Sequence, residues 1–240
     1  MKNRITYLLL LCLASVLLTG CEVVDELVDE IESSVESNEK ANRKQQESFD
    51  KQFENQWSQQ ERERANTAKN ESYLSNVEKE VYYYLNLARI NPPLFGKTYA
   101  SAYDGTKGYM KGYAFDERKD SLLREMANMN SLPVLEPDEL LFESAECFAT
   151  EGGKLGIVGH DRSATGCPSM HSAECCHYGG CYTGLEIVMA FLIDAGENNA
   201  ALGHRRICFS DRYHYMGVAI RDHQKSRKNV VLDFSTEKLE

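Results

Sequence analysis

Between Thr183 and Thr236 an apolar helix pattern is followed by two strand patterns, and this order restricts the fold more than any other part of the chain. "TGLEIVMAFLIDAGE" is strongly apolar, as a buried helix requires. "YHYMGVAIR" puts Tyr213, Tyr215, Gly217 and Ala219 on one side and His214, Met216, Val218 and Ile220 on the other, the alternation of a strand. "NVVLDFST" reads as its partner, with "DHQKSRKN" turning between them. Helices around a small antiparallel sheet follow, so the class is α+β.

The preceding chain supplies those helices. "SNVEKEVYYYLNLARINPP" opens with Ser75 as N-cap and Glu78 three residues on. Its Val77, Val81, Tyr84, Leu85 and Ala88 form one face, and Pro92 and Pro93 end it. A second helix is expected over residues 121–129, and a third from the cap Asp138 to about Lys154, with Leu141, Ala145, Phe148 and Ala149 buried. Residues 96–116, with Tyr99, Tyr103, Tyr109 and Tyr113, show no period and read as an exposed loop whose tyrosines either stack on sugar rings or pack locally. Residues 155–182 also read as loop.

Residues 21–71 read as a tether ahead of a folded domain at 72–240. The first part, "EVVDELVDEIESSVESNEK", carries eight acids and one lysine, and the second is rich in Gln, Glu, Lys and Arg, so neither buries enough apolar area to fold alone. Phe49, Phe53 and Trp57 recur every fourth residue, a stripe able to dock on the domain or on another copy. A formal charge of −10 and the lack of a basic stripe argue against a nucleic-acid partner.

The N-terminus sets the compartment. Lys2 and Arg4 precede an apolar run, Tyr7 to Leu18, that is short for a membrane span and ends in "LTGC". This resembles a bacterial lipoprotein signal over residues 1–20, cut before Cys21, which would carry the lipid and anchor the mature chain to the envelope. Glu22 after it leaves the outer membrane or cell surface open as the location. Cys147, Cys167, Cys175, Cys176, Cys181 and Cys208 then remain, an even number that reads as a disulfide framework in an oxidising compartment, with about 15 connectivities open.

No G-x-S-x-G, H-E-x-x-H, P-loop or Rossmann pattern occurs. Instead His160, Glu174, Asp194 and His204 stand at element ends, the residue types that zinc sites and acid/base pairs use. Each also has an ordinary structural reading, as a surface histidine or a helix end. "YLNLARINPPLF", "LPVLEPDELLFESAECFATEG", "GHDRS", "AECC", "VMAFLID" and "LGHRRICFSDRYHYMGVAI" occur in the order of the CAP superfamily, the cysteine-rich secretory, antigen 5 and pathogenesis-related proteins. The chain resembles that family over about residues 74–236.

The resemblance implies a three-layer α-β-α sandwich and a cleft formed by His160, Glu174, Asp194 and His204. Asn86 and Arg89 match the family's "N-x-x-R", and Glu174 matches the glutamate of "G-E-N", with Cys175 replacing the asparagine. Phe191 takes the tryptophan place, which makes Asp194 the second acid and Glu186 its rival. Some family members bind divalent ions, so His160 and His204 are the candidate ligands for Zn2+ or another divalent cation, with Glu174 and Asp194 as candidate catalytic groups. His171, His177 and His214 match nothing assignable and read as surface residues. Three functions stay open: a lipid-anchored module binding a lipid, glycan or protein partner at the envelope, a zinc-dependent hydrolase, or a purely structural surface lipoprotein.

Overall fold

A computed structural model describes residues 33, 34, 36–105, 114–180, 182–195 and 201–240. The signal, Cys21, Cys181, Tyr109 and Tyr113 lie outside the described residues. Among the described residues, no helix is long and apolar enough to cross a membrane. The chain divides into two compact units, Met1–Ala41 and Asn42–Glu240. The described residues of the first are helical.

The second unit begins about thirty residues earlier than composition indicates. Helix α1, residues 42–53, is followed by a 3-10 turn, Glu54–Gln56, and α2, Gln59–Ala65. Phe53 and Trp57 are buried against Tyr99, and Ala65 and Ala68 are fully enclosed. Asp50 accepts hydrogen bonds from Tyr84 Oη and Tyr99 Oη. The expected stripe of Phe49, Phe53 and Trp57 docks on the domain, with Phe53 and Trp57 in its core, so this part of the stretch read as a tether belongs to the fold.

Helix α3, Asn76–Ile90, starts at a capping box in which Ser75 and Glu78 bond each other's backbone. Its Asn86 and Arg89 are buried and act as staples. Asn86 bonds both Leu135 N and Leu135 O, while Arg89 donates to the carbonyls of Pro133, Cys208, Ser210 and Tyr213. Helix α4, Pro92–Phe95, runs into a π-turn, Gly96–Ala100, that buries Tyr99, and Tyr103 is buried beyond it, so the described part of the expected exposed loop is packed. Helix α5, Phe115–Met126, starts six residues before its expected position.

Helix α6, Glu139–Leu155, is capped by Asp138, whose side chain accepts from Leu141 N, and ends at left-handed Gly156. Helix α7, Gly184–Ile193, is buried throughout, and α8, Gly203–Cys208, follows. Four strands form one mixed sheet in the order β1-β3-β4-β2: β1 Glu136–Pro137, β3 Tyr215–His223, β4 Arg227–Ser235 and β2 Ala173–Gly179. The expected hairpin is β3–β4. "AECCHYG", expected as loop, is instead strand β2, antiparallel to β4.

Alternate residues of β2 meet different helices. Glu174 lies opposite Asp233, which accepts from Ser144 of α6, and Tyr178 lies opposite Asn229, which donates to Ala149 O of α6. His177 packs its ring against Phe191 of α7 at 6.0 Å. Gly217 of β3, opposite Asp233, approaches α6 so closely that a Cβ there would lie 2.2 Å from the Leu141 carbonyl carbon.

Candidate functional site

The α6 side of β2 carries a dense ionic cluster around one guanidinium. Arg162 Nε donates to Glu174 Oε2 at 3.0 Å, and Nη2 reaches the same oxygen while donating to Asp233 Oδ1 and Oδ2 at 2.9 and 3.0 Å. Nη1 donates to Ser144 O at 3.0 Å, Ser144 Oγ at 3.0 Å and Pro168 O at 2.7 Å. The guanidinium carbon also sits 4.6 Å from the centre of the Phe148 ring. Every donor of Arg162 therefore has a partner, the condition under which a buried charge is tolerated.

The segment that carries Arg162 is fixed at both ends. A disulfide joins Cys147 of α6 to Cys167, and Tyr178 Oη donates to Gly159 O at 2.7 Å while accepting from Gly159 N at 3.0 Å. Between these ties stands His160, its side chain 57% exposed, with Nδ1 2.7 Å from Glu174 Oε1. Both oxygens of Glu174 are thus taken. Burial pushes the Glu174 carboxyl up, but hydrogen bonds from His160 and Arg162 and the charge of Arg162 outweigh it and hold the group below its ordinary 4.5. The hydrogen bond to Glu174 raises His160 above its ordinary 6.5, against partial burial.

His171 completes the cluster. Its Nδ1 lies 3.1 Å from Asp233 Oδ1, within ion-pair reach but without a hydrogen bond, and Nε2 is 3.3 Å from Ser169 Oγ. His160, Arg162, Ser169, His171, Ser172, Ala173 and Glu174 line an open cleft of about 490 Å³. All of its lining residues except Ala173 carry a polar or charged side chain.

The other two sequence-proposed residues form a separate pair. His204 Nδ1 lies 2.9 Å from Asp194 Oδ1, and His204 N donates to Asp194 Oδ2 at 3.2 Å. Asp194 caps α7 in the left-handed conformation, φ 55°, so the turn aims its carboxylate at the start of α8. Phe191 packs against both the His204 and His177 rings. This pair meets the α7 side of β2, whereas His160 and Glu174 meet α6. The expected four-residue cleft is therefore two histidine–acid pairs, and only His160 and Glu174 line the polar cleft. The rival acid Glu186 accepts from Asn42 Nδ2 and Tyr182 N at the start of α7.

Among the described residues, two groups could hold a metal ion by donor type and spacing: His160, Glu174 and Cys176, and His171, Glu174 and Asp233. His160 and His204, the expected ligand pair, share neither. Arg162 bears directly on the fit. Glu174 and Asp233 already share its full positive charge at hydrogen-bond distance, where a dication would be repelled. Burial, with the Glu174 charge adding to it, pushes the Cys176 thiol well up, against the thiolate that zinc prefers. As arranged, these donors fit a divalent ion poorly.

The cysteines also depart from expectation. Only Cys147–Cys167 is bridged among the described residues, and Cys175, Cys176 and Cys208 are buried free thiols. Arg162, His171 and Asp233 were not singled out by sequence. His171, read as a surface residue, is mostly enclosed, and His177 has a buried Nε2. The available signal for Arg162 was its place two residues after His160 in "GHDRS". No family model matches the chain, and no curated protein or solved structure matches it significantly.

Proposed function

We propose that the chain is a lipid-anchored, extracytoplasmic binding module with a CAP-like three-layer sandwich, whose cleft takes a hydroxyl-rich ligand of the glycan class at the cell envelope. The observation that carries this reading is the saturation of Glu174. Its two oxygens are held by His160 and Arg162, so the carboxylate orients other groups and is poorly placed to take a proton from water. With Nδ1 spent on Glu174, the exposed His160 ring offers Nε2 to a ligand, beside Ser169, Ser172 and His171. This lining suits hydroxyl and amide groups better than an acyl chain, which narrows the ligand classes open to a CAP-like domain. The sandwich is supported by alternate β2 side chains meeting α6 and α7, and the anchor by "LTGC" with its Cys21.

Titration with soluble peptidoglycan fragments and with chitooligosaccharides, followed by histidine NMR, tests the reading. Ligand should shift His160 and His171 and leave His204 in place, and loss of those shifts in His160→Ala should accompany loss of binding. Absence of binding at millimolar fragment would overturn it. The donor types and spacing of His171, Glu174 and Asp233 are the observation behind a second reading, a zinc-dependent hydrolase, against which the charge of Arg162 stands. Calorimetry with zinc separates the two: stoichiometric uptake that disappears in His160→Ala or His171→Ala selects the hydrolase.

A further inference from the structure

The Asp194–His204 side of β2 holds two buried core thiols that the cleft does not use. Cys175 is central in β2 and Cys208 is the last residue of α8, and each is about 1% exposed or less. Helix α8 packs directly against β2, and the two thiols are electrostatic neighbours. The register accounts for the meeting. Glu174 and Cys176 fall on the α6 side, which turns Cys175 toward α8. Cys176 Sγ instead lies within 4.8 Å of the His160 and Glu174 donor atoms on the α6 side, so it is not a competitor for Cys208.

We propose that Cys175 and Cys208 form a second disulfide that fastens α8 to the sheet. Cys147–Cys167 would then staple the α6 side and Cys175–Cys208 the opposite one, each beside one histidine–acid pair. The chemistry is thiol–disulfide exchange. Two S–H bonds break and one S–S bond forms, and two electrons and two protons pass to an oxidant disulfide, such as oxidised glutathione or an oxidoreductase disulfide, which is released as two thiols. Burial disfavours the Cys175 thiolate in the folded chain, so exchange belongs to folding, before Cys175 and Cys208 are enclosed. The bridge does not depend on what the cleft binds. Its consequence for the site is positional, since α8 begins at Gly203 and carries His204.

The test is peptide mapping of the full chain, purified in detergent after oxidative refolding in a glutathione redox pair. Free thiols are alkylated after denaturation and before any reduction. The expected result is a cross-linked peptide pair containing Cys175 and Cys208, two hydrogens lighter than the sum of its parts, alongside the Cys147–Cys167 pair. In Cys208→Ser, Cys175 should become fully alkylated and the melting temperature should fall. If Cys175 and Cys208 are both alkylated in the unsubstituted chain while Cys147–Cys167 is bridged, the proposal fails. A link from either residue to Cys176 or Cys181 overturns it equally, and that readout does not require the variant to fold.

Discussion

Glu174 and Asp233 stand opposite each other across the β2–β4 ladder, and both carboxylates close on the guanidinium of Arg162. Two buried acids on facing strands would repel each other; with Arg162 between them they form one hydrogen-bonded unit with Ser144. Arg162→Met keeps much of the side-chain volume and removes the charge. The expected loss of stability is about 3–5 kcal/mol, the cost of leaving buried charge unpaired, read by urea denaturation. The same variant should gain zinc affinity, because the cation that keeps zinc out is gone. A loss below about 1 kcal/mol would show that the cluster behaves as an exposed pair.

The His160–Glu174 bond gives a pH dependence whose sign follows from the two shifts. His160 is raised in the folded chain, so its contribution is complete below the ordinary 6.5 and fades as pH rises through the folded value. Glu174 is lowered, so its contribution is complete above 4.5 and fades as pH falls through its folded value. The pair is strongest between about 4.5 and 6.5. An NMR titration should give His160 a midpoint above 6.5, returning toward the ordinary value in Glu174→Gln. An unchanged midpoint in that variant would place the cause outside the bond.

How much of this was legible depended on whether a residue's role was local. Ser75 with Glu78, and Asp138 before Leu141, announce helix starts within three residues, and both caps form. The β3–β4 hairpin was equally plain, because its alternation is a property of neighbours. β2 was not, since Glu174, Cys175 and Cys176 are all buried and a strand covered on both faces loses its alternation. Arg162 escaped notice for a related reason. Its role is set by Asp233, 71 residues away, and no spacing rule reaches that far. His160, Glu174, Asp194 and His204 were recognisable as a set, but their division into two pairs depends on which way β2 side chains point.

Where the folded unit begins can be tested by truncation. Phe53 and Trp57 are 5% and 3% exposed, and burial of each large side chain is worth about 1.5–3 kcal/mol. A chain starting at Asn42 should fold with a blue-shifted emission from Trp57, the protein's single tryptophan, and should melt cooperatively. A chain starting at Ser72 loses the whole stripe and the two tyrosine bonds to Asp50, and should fail to give a cooperative melt by circular dichroism. Matching melts for the two chains would return residues 42–71 to the status of a tether.

His177 supplies an acid-side dependence of opposite origin. Burial, with His204 nearby adding to it, pushes its pKa down to about 4 from an ordinary 6.5. The ring stays neutral in the folded chain while the unfolded chain takes up a proton, so folding loses stability as pH falls from about 6.5 to about 4 and levels off below that. His177→Phe keeps a ring against Phe191 and removes the titration. The variant should show a shallower fall in unfolding free energy across that interval than the unsubstituted chain, whatever its stability at neutral pH. Parallel profiles for the two proteins would mean that the ring is protonated in place, and that the carboxylate of Asp194 is close enough to offset its burial.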